Sequence, residues 1–410
     1  MSGFGIFFSD IKKSISYQQL LGDLNSAKCV PFYLKADSIY DYFLGILVAC
    51  LSDKEIVLLD SDFSEAEIES LTGLENSAWQ NIKIERSYPN LNSVDELIVR
   101  LKSSKNFKIT FFTSGTTGRP KKVSQTLSAI TRFLKCNTSH SSDIWGFAYN
   151  PTHIAGIQVF FQAIFNKNKI VRLFGLTAEQ IFDTIETEEI SHISATPTFY
   201  RMLASCENSY NCVKRITSGG EKFDEKISLQ LTRIFPNAKI TNVYASTEAG
   251  TLFASNADVF RVKDEVKNFV KIVDNELLLH VSLLGESTDL SLDKQWYKTG
   301  DVVEKIEENP LSFRFVSRQN EMINVGGYKV NPHEVEDVIG EMLSVRQVRV
   351  FGKKNSVLGN IICAEIVGDC LDEKMVRQYL KTRLQEFKIP RIIKFVENIK
   401  STRTGKVSRK

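Results

Sequence analysis

Proline is scarce in this chain of 410 residues, with 9 in all, and glycine stands at 22. So few helix and strand breakers, beside 42% hydrophobic and 25% charged residues, exclude a disordered or fibrous chain. Neither sign of charge dominates: 52 Lys and Arg against 49 Asp and Glu leave a net charge of +3. That balance gives no case for nucleic acid or an anionic membrane as a partner. The seven cysteines, at 29, 50, 136, 206, 212, 363 and 370, form no CxxC pair. An odd, scattered set argues against a disulfide framework or a zinc site and fits free thiols in a reducing cytoplasm. Long apolar runs are missing too. The longest, Ile39 to Leu51, is interrupted by Asp41 and is too short to span a bilayer. The opening MSGFGIFFSDIKK has an apolar patch with no basic region before it and no small-residue cleavage site. The expectation is a cytoplasmic protein without membrane insertion. Its length predicts two or three domains and a core that needs no disulfide or metal staple.

What is present is an alternation of short β-rich runs with helical patterns. Lys54–Asp60, Phe107–Phe112, Asp143–Ala148, Ile170–Phe174, Ser191–Ala195, Val213–Thr217 and Ala238–Tyr244 read as strands. Between them, Ser64–Leu71, Ser124–Leu134, Ile157–Phe165, Thr177–Glu188 and Lys222–Phe235 read as helices. This predicts an α/β fold with parallel strands. From Asn268 the pattern changes to a hairpin turning at Asp274-Asn275, then to short strands near Val302–Ile306 and Phe313–Val316. A boundary is expected in the polar stretch Ser317–Glu321. Beyond it, helices over Pro332–Met342 and Asp372–Phe387 and strands over Val345–Phe351 and Ile361–Ile366 predict a small α+β unit. No internal repeat is evident.

The run Thr113-Ser114-Gly115-Thr116-Thr117-Gly118-Arg119-Pro120-Lys121-Lys122 follows a predicted strand. Two glycines let backbone N–H groups turn toward an anion, four hydroxyls add donors, and two lysines add charge. This suits a triphosphate, although no GxxxxGK[ST] register is present. Further segments follow in order: Ser218-Gly219-Gly220-Glu221, Tyr244-Ala245-Ser246-Thr247-Glu248, Trp296-Tyr297-Lys298-Thr299-Gly300-Asp301, Arg318 with Gly326-Gly327-Tyr328-Lys329-Val330, and Thr402-Arg403-Thr404-Gly405-Lys406-Val407. From about Tyr17 onward the chain resembles the adenylate-forming superfamily of acyl- and aryl-CoA ligases, peptide-synthetase adenylation domains and luciferases.

The resemblance implies a large N-terminal adenylation domain over 1–317, with mixed and parallel sheets, and a small mobile C-terminal domain over 318–410 that carries the catalytic lysine. Its members join a carboxylate to the α-phosphate of ATP and expel pyrophosphate, a step that calls for donors and cations against crowded anionic charge. By resemblance the catalytic set is Lys406, Thr247 and Glu248, with Glu248 helping to hold Mg²⁺, a hard cation suited to carboxylate and phosphate oxygens. ATP would be held by Thr113, Ser114, Gly115, Thr116, Thr117, Gly118, Lys121, Gly219, Gly220, Glu221, Tyr244, Asp301 and Arg318. In that set Tyr244 would stack on adenine, Asp301 would accept from the ribose hydroxyls, and Arg318 would reach ribose or phosphate. Taken singly these residues have plain alternatives: Lys406 a solvated residue of a basic tail, Asp301 a turn cap, Tyr244 a core aromatic.

His153, in Asn150-Pro151-Thr152-His153-Ile154-Ala155-Gly156, is similar to the HxxG segment that borders the acid pocket of CoA ligases. The pocket would include His153, Gly156 and Gly219. Amino-acid-activating relatives place an Asp near this segment, but none lies between Phe147 and Ile157. With no clear charged anchor, an uncharged acyl or aromatic acid is expected. Gly326 and Gly327 would line a passage for pantetheine, so the acceptor would be coenzyme A or the phosphopantetheine of an acyl carrier protein. Two departures stand out. Asn320 occupies a hinge position where the family often has an acidic residue, and the part preceding Thr113 is abbreviated. The alternatives are an adenylate-forming enzyme that hands its acyl group to an amine, and a non-catalytic adenylate-binding paralogue.

Overall fold

The computed structural model describes residues 5–113, 121–204, 206–221, 225–287, 290, 292–325, 328–355 and 359–399. Among them the largest sheet runs, in spatial order, Gly250–Ser255, Lys239–Ser246, Arg215–Gly219, His192–Ala195, Ile144–Phe147, Lys169–Arg172, Ile6–Asp10 and Lys13–Ser16. Its inner pairings are parallel, and only the two outermost are antiparallel. The connecting helices are set by side-chain caps. Thr177 forms a reciprocal capping box with Gln180, and Thr196 caps a helix that starts with Pro197. The apolar run Ile39–Leu51 is a helix buried nearly all round. It packs on the helix Ile154–Phe165 through Phe43 and Phe160, whose rings stack at 4.3 Å.

A second sheet orders Tyr33–Leu34, Ile56–Leu58, Lys108–Thr113 and Lys121–Thr126. Its last strand corrects the reading of Ser124–Leu134 as a helix. Lys121–Thr126 pairs antiparallel with Lys108–Thr113, and the helix covers only Leu127–Thr131. Val123 and Gln125 both point inward at 0% and 1% exposure, a period of two that hydrophobicity alone hid because one inward residue is polar.

The third sheet is antiparallel and includes Val259–Arg261, Val270–Val273, Glu276–His280, Trp296–Glu308 and Leu311–Arg318. The hairpin turn at Asp274-Asn275 is as expected, with φ of 50° and 61°. A fourth sheet joins Ile323–Val325, Tyr328–Val330, Val345–Asn355, Gly359–Gly368 and Ile392–Phe395. Val335, Ile339, Val350, Ile366, Val376 and Leu380 form a separate core there. The last helix is shorter than expected and ends at Lys381; Leu384 and Phe387 pack on the same core from the turn that follows.

His140, Asp143 and His192 meet at the amino ends of the strands Ile144–Phe147 and His192–Ala195. His140 Nδ1 lies 2.8 Å from Asp143 Oδ2, and His192 Nδ1 lies 2.8 Å from Ser191 Oγ. No helix among the described residues is long and apolar enough to cross a membrane.

Candidate active site

Parallel strands deliver their carboxyl ends to one edge of the sheet, where ligands of open α/β sheets bind. Four adjacent strands do so here. Ile144–Phe147 leads to His153, His192–Ala195 to Thr196–Thr198, Arg215–Gly219 to Gly220-Glu221, and Lys239–Ser246 to Thr247-Glu248. The expected pocket and nucleotide segments are thus neighbours in space although they are far apart in sequence.

Each segment has local reasons for its shape. Gly219 has no room for a side chain, since a Cβ would lie 2.4 Å from Val243 Cγ2 and 3.0 Å from the Val243 carbonyl. Gly220 has a φ of +85°, which favours glycine. The Glu221 carboxylate accepts from Thr198 N at 3.1 Å and Thr198 Oγ1 at 2.7 Å, with Arg201 Nη1 at 3.7 Å. The side chain expected to face the nucleotide is therefore also the anchor of the neighbouring helix. The turn before His153 is tied down by buried Asp60, which accepts from Thr152 Oγ1 and, at 3.3 Å, from Asn150 Nδ2. His153 then begins the helix Ile154–Phe165. A Cβ on Gly156 would meet the Asn150 carbonyl and Phe147 Cζ at 3.0 Å, so the glycine lets the helix lie on that turn.

Asp301 is the centre of the polar geometry. It is 2% exposed. Tyr244 Oη donates to its Oδ2 at 2.5 Å, and Arg318 Nε donates to its Oδ1 at 2.9 Å. Asp301 and Arg318 face one another because their strands pair in that register. Burial pushes the Asp301 carboxyl above its ordinary pKa, against the opposing pull of Arg318 and the Tyr244 hydroxyl. Burial, then the Asp301 charge, holds the Tyr244 phenol well above 10. Burial also works against the Arg318 cation, but Asp301 outweighs it and the guanidinium stays charged. Each carboxylate oxygen keeps a lone-pair direction beyond its present partner, so a vicinal diol still finds acceptors. The Tyr244 ring packs near Phe253, Phe260 and Phe313, with centroids 5.6, 6.3 and 6.3 Å away.

Glu248 is half-buried, and its charge is felt by both Tyr297 and Arg318. Its hard oxygen donors suit Mg²⁺ shared with phosphate. The backbone on which it sits is held by Gln125, which the sequence reading missed. Gln125 Nε2 donates to the Thr247 carbonyl at 2.7 Å and the Glu248 carbonyl at 2.8 Å. Gly285 N donates to the same Glu248 carbonyl at 2.7 Å. A polar residue beside Val123 on an inward face was the only available signal.

Thr113 and Lys121 pair across the ends of their strands, which brackets the glycine-rich segment. Ser114, Gly115, Thr116, Thr117 and Gly118 themselves lie outside the described residues, as do Gly326, Gly327 and Lys406. Val325 and Tyr328, on either side of the glycine pair, are partners across two strands. Asn320 falls in the short helical turn Gln319–Glu321 that follows Arg318.

Residues 48–275 match the model of a family described as AMP-binding enzyme, and residues 334–406 match its C-terminal domain. A 2-succinylbenzoate–CoA ligase of Listeria monocytogenes is 29% identical over 326 residues, covering 73% of this chain and 68% of that protein. A 4-hydroxybutyrate–CoA ligase of Metallosphaera sedula is 26% identical over 350 residues, covering 73% and 61%. Among solved structures, the o-succinylbenzoate CoA synthetase of Bacillus subtilis in complex with its acyl-adenylate superposes with a TM-score of 0.70 at 16% identity, over 100% of this chain and 95% of that one. ATP-bound MatB of Rhodopseudomonas palustris superposes with a TM-score of 0.71 at 16% identity, over 99% and 94%. At such identity the structural likeness speaks for the fold.

Proposed function

The chain belongs to the AMP-binding enzyme family, and on that premise we propose that it is an AMP-forming acid–thiol ligase acting in the cytoplasm. The observation that carries this reading is the convergence of four strand ends beside the Tyr244–Asp301–Arg318 group, on one edge of a parallel sheet. In the first half-reaction a carboxylate oxygen of the substrate attacks the α-phosphorus of ATP. The bond to the β-phosphate oxygen breaks, and pyrophosphate leaves with that electron pair. Asp301 holds the ribose, and the segment 113–121 holds the phosphates. Glu248 would hold Mg²⁺, which supplies charge neutralisation at the phosphate oxygens. Lys406 steadies the negative charge that gathers between carboxylate and phosphate.

In the second half-reaction a thiol loses its proton, its sulfur attacks the acyl carbon, and AMP departs with the carbon–oxygen electron pair. Coenzyme A is the thiol, in keeping with the two curated relatives, both named as CoA ligases. The junction lies at 317–318, and residues 318–410 turn between two positions, one presenting Lys406 and the other Gly326-Gly327. An aromatic acid of the succinylbenzoate kind is the preferred substrate class. Such an acid has a second carboxylate, which departs from the uncharged acid expected from the sequence and rests on the relatives' substrate alone.

The test is acid-dependent pyrophosphate release over a panel of aromatic and short aliphatic acids, with coenzyme A present and absent. The expected result is pyrophosphate and AMP with an aryl acid, plus an acyl-CoA seen by mass spectrometry. Release without any thioester would point to another acceptor. No release with any acid would overturn the enzymatic reading.

A further inference from the structure

Three parts of the fold meet at one buried amide. Gln125 is 1% exposed and lies on the strand Lys121–Thr126, which begins where the glycine-rich segment ends. Its Nε2 spans two consecutive carbonyls, Thr247 and Glu248, at 2.7 and 2.8 Å. Both partners are acceptors only, so the amide must present its NH₂ here, with one hydrogen for each carbonyl. Thr247 and Glu248 belong to the turn between Lys239–Ser246 and Gly250–Ser255, in a different sheet from Gln125. The third part is the segment around Gly285. Its N–H reaches the Glu248 carbonyl at 2.7 Å, and the next residue pairs with Ser124 through backbone bonds of 2.8 and 2.9 Å. Lys108 Nζ adds an ion pair to Glu286 at 2.7 Å. Space around the amide is closed: a Cβ on Gly285 would lie 2.6 Å from Gln125 Nε2.

We propose that Gln125 is a positioning residue for adenylation, whose carboxamide holds the Glu248 backbone in fixed relation to the strand that leaves the glycine-rich segment. The inference rests on the reading of Glu248 as the magnesium carboxylate. Two elements must grip one triphosphate, yet they come from separate sheets. Without a tie, each would move with its own sheet. A glutamine reaches both carbonyls at once; an apolar residue of the same size would fill the space, remove this donor from the Thr247 carbonyl and leave the Glu248 carbonyl only its bond from Gly285 N–H. Residues that orient a metal-binding group from behind typically matter about 10–100-fold in metal affinity or activity.

The experiment uses the full chain and acid-dependent ATP–pyrophosphate exchange, titrated with free Mg²⁺. Direct Mn²⁺ titration of the enzyme with a non-hydrolysable ATP analogue, read by electron paramagnetic resonance, gives a second readout. Gln125→Leu should raise the metal concentration for half-saturation about 10–100-fold, as Glu248→Ala should. In the Glu248→Ala background, adding Gln125→Leu should cost little more, because the glutamine acts through Glu248. Should Gln125→Leu not fold, Gly285→Ala displaces the same amide from the other side and should shift the metal requirement in the same direction. A lowered melting temperature with an unchanged metal requirement overturns the proposal, and so does full additivity of the two substitutions. If Glu248→Ala itself keeps the wild-type requirement, the magnesium role of Glu248 falls, and with it the proposal. If Glu248→Ala shifts it and Gln125→Leu does not, only the proposal falls.

Discussion

Tyr244 donates its phenolic proton to Asp301 across 2.5 Å, joining the end of a parallel strand to an antiparallel sheet that begins more than ten residues further along the chain. The bond fixes which carboxylate oxygen faces Arg318 and which lone pairs remain for a ligand. The tyrosine expected to stack on a base thus also orients the carboxylate expected to bind a sugar. Tyr244→Phe keeps the ring and its packing on Phe253 and Phe313 but removes the donor. A hydrogen bond to a charged group contributes roughly 1.5–3 kcal/mol. The expected outcome is a raised KM for ATP, with an unchanged KM for the acid in steady-state kinetics. Equal KM values for ATP in the two proteins would show that Asp301 is oriented by Arg318 alone.

Gly219 is predicted to be intolerant of even one methyl group. Its Cβ would sit 2.4 Å from Val243 Cγ2 on the neighbouring strand. Overpacking of this kind costs about 1–3 kcal/mol. Gly219→Ala should lower the melting temperature and weaken acid binding, and Val243→Ala in the same chain should restore part of both. Failure of the second substitution to restore stability would place the strain at the Val243 carbonyl, 3.0 Å away, rather than at its side chain.

Stability should fall in mild acid because of His192, far from the proposed chemistry. Burial pushes its pKa from 6.5 down to about 4, with Arg215, His140 and Lys214 acting in the same direction and Asp143 opposing them. The unfolded chain therefore takes up a proton below pH 6.5 that the folded chain refuses. The contribution is complete above 6.5 and is lost as pH falls toward 4, amounting to about 1–3 kcal/mol. Urea titrations at pH 7 and pH 5 should show this loss in the native sequence and a smaller one in His192→Gln. An equal loss in both would assign the acid sensitivity to carboxylates instead.

The two half-reactions should separate by mutation. Lys406→Ala is expected to lower acid-dependent pyrophosphate exchange by ~10²–10³ while still converting supplied acyl-adenylate to thioester. Gly327→Trp should leave exchange nearly intact and block thioester formation, because an indole would obstruct the passage proposed for pantetheine. Assaying both steps in both variants is the check. Equal loss of both steps in both proteins would speak against a C-terminal part that alternates between two positions.

Much of this protein was legible before its fold. The sequence around Asp301 and the turn at Asp274-Asn275 depend on local backbone chemistry, which neighbouring residues set. The alternation of strands and helices is likewise local, since period and capping arise within a few residues. Ser124–Leu134 was misread for a reason that is not local. Its first residues pair with Lys108–Thr113, and a strand on that face must turn Gln125 inward beside Val123.

What the sequence by itself determined is therefore the set of chemical groups and the order of the elements: the hydroxyls and glycines of 113–118, the carboxylates Glu248 and Asp301, and the order of the strands. Only tertiary structure decided which of these groups share a proton or a carbonyl. Asp301 meets Tyr244 and Arg318 because of strand register and sheet docking, and Gln125 meets Thr247 and Glu248 because two sheets close against each other. Such contacts join residues 57 and 122 positions apart. A hydrogen bond depends on angles and tenths of an ångström, and those are set by packing of the whole core rather than by any stretch of chain.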